Sequence, residues 1–120
     1  MRIYVSGAVT GVTDYVGKFY NKTFHLNEKN NQYGLYFINP VEMNSQFDKI
    51  GTYHNEPLSY DDFMKLCYTE LELCDGIYLM NGWRNSMGAN RELGFAKGQK
   101  KKIFLEEDCG DNVYEYYFKN

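Results

Sequence analysis

The helical segment spanning residues 87–99 carries a carboxylate where an apolar side chain would be expected. Ala89, Leu93 and Ala96 fall at i, i+4 and i+7 and define an inward stripe, and Glu92, three residues after Ala89 and four before Ala96, lies on it. A carboxylate there is costly unless it is paired or opens into a cavity, which makes Glu92 a candidate reactive group. The ordinary alternative is a position at the edge of the stripe, paired to Arg91 or a lysine. Just upstream, Asn85, Ser86 and Gly88 stand where a helix N-terminus presents free N–H groups, a ready site for a phosphate or carboxylate. Ser86 serves equally as a simple N-cap. In the preceding loop Trp83 could stack on a base and Arg84 could fork onto a phosphate, unless Trp83 only packs beneath its own loop. Gly94 costs about 1 kcal/mol relative to Ala in a helix interior, a cost that close approach of a backbone or ligand would offset.

Charge and cysteine usage narrow the chemistry. The net charge is -3 and the pI about 5.3, with no basic stripe of the kind duplex nucleic acid demands. Lys100, Lys101 and Lys102 read as a solvated corner. Polymeric DNA or RNA is therefore not an expected partner, whereas a small anion is admitted. Cys67, Cys74 and Cys109 are odd in number, as in a cytoplasmic protein with reduced thiols. Cys67 and Cys74 are one heptad apart and read as core thiols. His25 and His54 lack the company zinc requires, so no metal and no other cofactor is expected. No stretch reads as a signal peptide or approaches a membrane span.

These side chains need a scaffold. Residues 2–6, 35–39, 76–80 and 102–105 read as strands, and 15–28, the run following Ser59, and 87–99 as helices. Ser59 is the N-cap of the second, with Asp61 and Asp62 in its first turn and Phe63, Leu66, Cys67, Glu70, Leu71 and Cys74 along one face. Phe19, Tyr20, Phe24 and Leu26 supply the apolar face of the first, which Asn30, Asn31 and Gly34 end. Residues 41–59, with Gly51, Asn55 and Pro57, read as a loop carrying one short helix. Alternating strands and helices predict a single α/β domain over residues 1–120. Its expected form is a three-layer flavodoxin-like (Rossmann-like) sandwich with a parallel sheet of about four to five strands. Residues 106–120 read as a helical or intersubunit tail. In such sheets ligands sit at the carboxyl ends of the strands, which gathers residues 6–11, 39–42 and 81–88 around one crevice.

The motifs occur in a recognisable order: Ile3-Tyr4-Val5-Ser6-Gly7, Thr10-Gly11-Val12 with Asp14-Tyr15, and Asn39-Pro40-Val41-Glu42. Cys74-Asp75-Gly76-Ile77-Tyr78-Leu79, Gly82-Trp83, Ser86-x-Gly88-Ala89 and Glu92-x-Gly94-x-Ala96 follow. Over residues 1–105 the chain resembles the nucleoside 2-deoxyribosyltransferase-like superfamily, within it a small domain family associated with phage and prophage genomes. The resemblance implies chemistry at C1′ of a nucleoside or nucleotide, by a pentosyltransferase or by an N-glycosidase of nucleoside 5′-monophosphates. It makes Glu92 the nucleophile and places Tyr4 beside nucleophile and sugar. It aligns Ser86 with the serine of relatives that bind a 5′-phosphate, and it implies a homodimer or higher homo-oligomer. Substrate binding is then expected from Ser6, Gly7, Gly11, Asn81, Trp83, Arg84, Ser86 and Gly88. One departure stands out: Cys67 occupies the position where the superfamily has an aspartate, eight residues before Asp75, and Glu70 is the nearest carboxylate on that face. The other reading is a non-catalytic nucleotide or signalling-nucleotide binder on the same fold.

Overall fold

The computed structural model describes residues 1–42 and 59–119. Four strands, β1 (Arg2–Ser6), β2 (Tyr36–Ile38), β3 (Gly76–Leu79) and β4 (Lys102–Leu105), form one sheet of order β2-β1-β3-β4. Every pairing is parallel, with Tyr4 opposite Ile38 and Ile77, and Tyr78 opposite Phe104. The connecting helices are α1 (Tyr15–Asn30), α2 (Tyr60–Glu72) and α3 (Met87–Gly98), and the chain closes with α4 (Glu106–Cys109) and α5 (Val113–Tyr117). This is the flavodoxin-like three-layer arrangement that the alternation predicts. The expected loop and short helix of residues 41–59 lie almost wholly outside the described residues.

Two cores follow from the period-2 alternation of strands buried on both faces. Ile3 and Val5 of β1, with Phe37, Tyr78 and Phe104, pack against Phe19 and Leu26 of α1 and against the tail. Tyr4 of β1, with Ile77 and Leu79, packs against Cys67 and Leu71 of α2 and Ala89, Leu93 and Ala96 of α3. Ser6 is also buried. Alternation places it, with Tyr4, on the second face, under the helix that carries Glu92.

α1 departs from the expected face. Phe19, Thr23, Leu26 and Asn30 are its buried residues, while Tyr20 and Phe24 are 59% and 53% exposed. The helical period rotates Tyr20 and Phe24 away from the line through Phe19, Thr23 and Leu26, so aromatic type was a poorer guide than angular position. Asn30 does not break the helix either. As its last residue it donates through Nδ2 to the Leu26 and Asp111 carbonyls at 2.6 and 3.0 Å, and its Oδ1 accepts the Tyr114 N–H at 3.1 Å. That anchors the tail to its own domain, where Tyr114 stacks on Tyr33 with ring centroids 3.8 Å apart.

Gly94 also departs from expectation: a Cβ built there meets nothing within 4 Å, so no backbone approaches it. Gly94→Ala should then stabilise the fold by up to about 1 kcal/mol, read as a higher midpoint in urea at unchanged slope.

Candidate active site

The carboxyl end of β1 opens into a cleft of about 610 Å³. One wall is the loop after β1, residues 7–10; a second is the start of α2, including Tyr60, Phe63, Met64 and Cys67; the third is the start of α3. Gly7 turns the chain out of β1 against Met80, whose Cε would lie 2.6 Å from an added Cβ. A side chain there would require the Met80 side chain to move aside. Opposite, Gly82 at φ 93 starts a 3₁₀ turn, Trp83–Asn85, which delivers the chain to Ser86, the N-cap of α3. The Ser86 Oγ accepts the Ala89 N–H at 3.1 Å.

Glu92 closes the floor. It sits in the second turn of α3, between the small residues Ala89 and Ala96, and is 6% exposed. The Ser6 Oγ donates to its Oε1 at 2.9 Å, while Oε2 has no partner. Burial pushes its pKa up to about 7 and the negative charge of Glu70 adds to the rise; the Tyr4 and Ser6 hydroxyls pull the other way. A strongly raised carboxyl pKa in a cleft is a mark that functional sites share with buried structural groups. Tyr4, fully buried, sets its hydroxyl against Glu92 and Cys67 without a well-aligned hydrogen bond. Burial, then the nearby charge of Glu92 and of an ionised Cys67, raise its pKa. Hydroxyl, thiol and carboxyl therefore meet at one buried point beneath the cleft.

The residues proposed from sequence divide by position. Gly7, Ser86, Gly88 and Glu92 line the cleft, and Tyr4 and Ser6 support Glu92 from the sheet. Gly11, at φ 76 in the same loop, is exposed and is not among the described lining residues, nor are residues 39–42. Asn81 lies on the other side of the sheet edge, in a cleft of about 530 Å³ beside Lys18 and Lys22, and its N–H donates to Glu106 Oε1 at 2.8 Å. Trp83 packs onto the α2–α3 core, with its Nε1 buried and unpartnered. Arg84 stacks over it at 4.5 Å and pairs with Glu107 at 2.7 Å, outside the cleft.

The cation that does line the cleft is Arg91, which sequence reasoning treated only as a neighbour for Glu92; its guanidinium instead lies 5.3 Å from the Tyr60 ring centre. Tyr60, Met64 and Cys67 recur at i, i+4 and i+7 on α2, a signal readable once α2 is known to border the crevice. Glu70 is 5% exposed with both oxygens unpartnered, yet it does not line the cleft. Burial raises its pKa to about 7 against the pull of Arg2. Asp75 lies at the opposite end of the sheet, where its Oδ2 accepts the Arg2 N–H at 2.9 Å. Among the described residues no group of three His, Cys, Asp or Glu side chains could hold a metal ion, and no helix is long and apolar enough to cross a membrane.

Residues 1–105 match the family described as Domain of unknown function (DUF4406), and the chain belongs to that family. No curated protein matches the chain.

Proposed function

We propose that this DUF4406 chain cleaves the N-glycosidic bond of a nucleoside 5′-monophosphate, with Glu92 as nucleophile. The observation that carries the reading is the Glu92 carboxyl at the floor of the cleft, one oxygen held by Ser6 and the other unpartnered. A fixed carboxylate with a free oxygen suits attack on an anomeric carbon, as in a retaining glycosidase. The ionised oxygen bonds to C1′ as the C1′–N bond breaks, and the departing base takes the electron pair and a proton from solvent. Water or another acceptor then attacks C1′, loses its proton and releases the carboxylate. Tyr4 beneath the carboxyl and the motif resemblance to the nucleoside 2-deoxyribosyltransferase-like superfamily support the same assignment. The aromatic and apolar start of α2 suits a base, and the α3 N-terminus suits a phosphate.

Base-release chromatography across nucleoside and deoxynucleoside 5′-monophosphates tests this. Free base is expected from at least one, and none from Glu92→Gln. Silence from every substrate at high enzyme concentration overturns it.

A second reading, a nucleotide binder without turnover, is favoured by Cys67 lining the cleft where the resemblance expects an aspartate; a thiol is a poor acid for a leaving base. It expects binding by calorimetry that Glu92→Gln leaves largely intact. A second copy of the chain is the proposed protein partner, since Val16, Tyr20 and Phe24 leave an apolar stripe on α1 that is 52%, 59% and 53% exposed. Light scattering should report a dimer or larger, and Tyr20→Lys with Phe24→Lys should reduce it to a monomer. A wild-type monomer excludes this partner.

A further inference from the structure

An anion entering the cleft would meet one cation among the described lining residues, and it is not the arginine that the loop offers. Arg84 is held by Glu107 at 2.7 Å and stacked on Trp83. Arg91 has no ion-pair partner among the described residues and lies over the Tyr60 ring at 5.3 Å. The Tyr60 hydroxyl in turn stands 3.7 Å from where a Cβ on Gly88 would be. Arg91 is three residues after Gly88, so both share one helix face, and helical side chains lean toward the N-terminus. The guanidinium is thereby drawn over the first turn of α3. There Ser86 Oγ satisfies the Ala89 N–H and leaves those of Met87 and Gly88 to other acceptors. Glu92, whose buried Oε2 has no hydrogen-bond partner, lines the same cleft.

We propose that Arg91 is the residue that selects a phosphate-bearing ligand over the matching neutral nucleoside, holding the anion between its guanidinium and the free N–H groups at the start of α3. This rests on the reading of the cleft as a nucleotide site and goes beyond it by naming the group that decides the substrate class. The need for such a group is electrostatic. Asp61 and Glu92 also line the cleft, and a phosphate placed there without Arg91 would face two carboxylates and only the partial charge of a helix end. Arginine suits the role because its planar fork meets two phosphate oxygens at once.

Isothermal calorimetry on the full chain, with deoxynucleoside 5′-monophosphates and their parent nucleosides as probes, tests the assignment. Wild type should bind the monophosphate more tightly. Arg91→Gln should weaken monophosphate binding by at least about tenfold, the scale of one charge-assisted hydrogen bond. It should change nucleoside binding by less than about twofold. Arg91→Lys should keep part of the preference. Asp61→Asn should tighten monophosphate binding a few-fold and leave the nucleoside alone. The wild-type preference should shrink between low and high salt, since Arg91 is exposed. Equal losses for both probe classes, or no loss, overturn the role of Arg91, as does a wild type that does not prefer the monophosphate. Base release run alongside separates the two claims. Turnover with an unchanged phosphate preference in Arg91→Gln sinks only the selector. Arg91-dependent binding without turnover sinks only the glycosidase.

Discussion

At pH 8 Glu92→Gln is expected to melt several degrees above the wild type, with the gap closing as the pH falls toward 4.5. Glu92 is buried and its pKa is raised from 4.5 to about 7, with burial the main cause. Between those values the folded chain binds more protons than the unfolded one. Stability therefore falls as the pH rises through that window and levels off above it. Ionising Glu92 in place costs about 3 kcal/mol on this reckoning. Glutamine occupies nearly the same volume, and its carbonyl can still accept from Ser6, so much of that cost is removed at pH 8 and none below 4.5. Glu70, also raised to about 7, adds its own fall in stability over the same window. The mutant curve should thus be flatter than the wild-type curve, though not flat. Thermal unfolding from pH 4.5 to 8.5 reads both. Parallel curves for the two proteins would show that Glu92 ionises in the fold without strain.

Much of this was legible from residue order, for reasons particular to each element. β1 and β3 are buried on both faces, so Arg2–Ser6 and Gly76–Leu79 read as strands without further help. Glu92 was legible because helical period ties it to Ala89, Leu93 and Ala96, all of which the fold buries. The two arginines were not. Arg84 turns away because Gly82 starts a 3₁₀ turn and because Glu107, in α4, is there to receive it; that partner is remote in sequence. Arg91 depends likewise on Tyr60 arriving from another helix. Asn81 sits past the end of β3, where a single residue decides which side of the sheet is faced, and it went to the α1 side with Glu106. Period fixes what is buried within an element, whereas which polar residues converge in a cleft is set by contacts between elements.

The largest expected effect is on catalysis, and its pH dependence has the opposite sign to that of stability. If Glu92 attacks C1′, Glu92→Gln should lower kcat by at least about a thousandfold, since an amide oxygen cannot form the same glycosyl ester. With a pKa of about 7, the wild-type rate should climb nearly tenfold per pH unit below that point and level off above about pH 8, because only the ionised carboxyl reacts. On the proposed reading, the charge that activates the site is the charge that destabilises the fold, a trade common where a buried group is kept for chemistry. Ser6→Ala gives the finer test. The Ser6 hydroxyl stabilises the ionised carboxyl through its 2.9 Å hydrogen bond to Oε1, so its loss should move the midpoint of the pH–rate curve to higher pH. A purely structural defect would lower the rate at every pH and leave the midpoint in place. That outcome would remove Ser6 from the control of Glu92, and a pH-independent wild-type rate would show that the Glu92 carboxyl is ionised across the whole range, leaving its role as nucleophile to the loss of activity in Glu92→Gln.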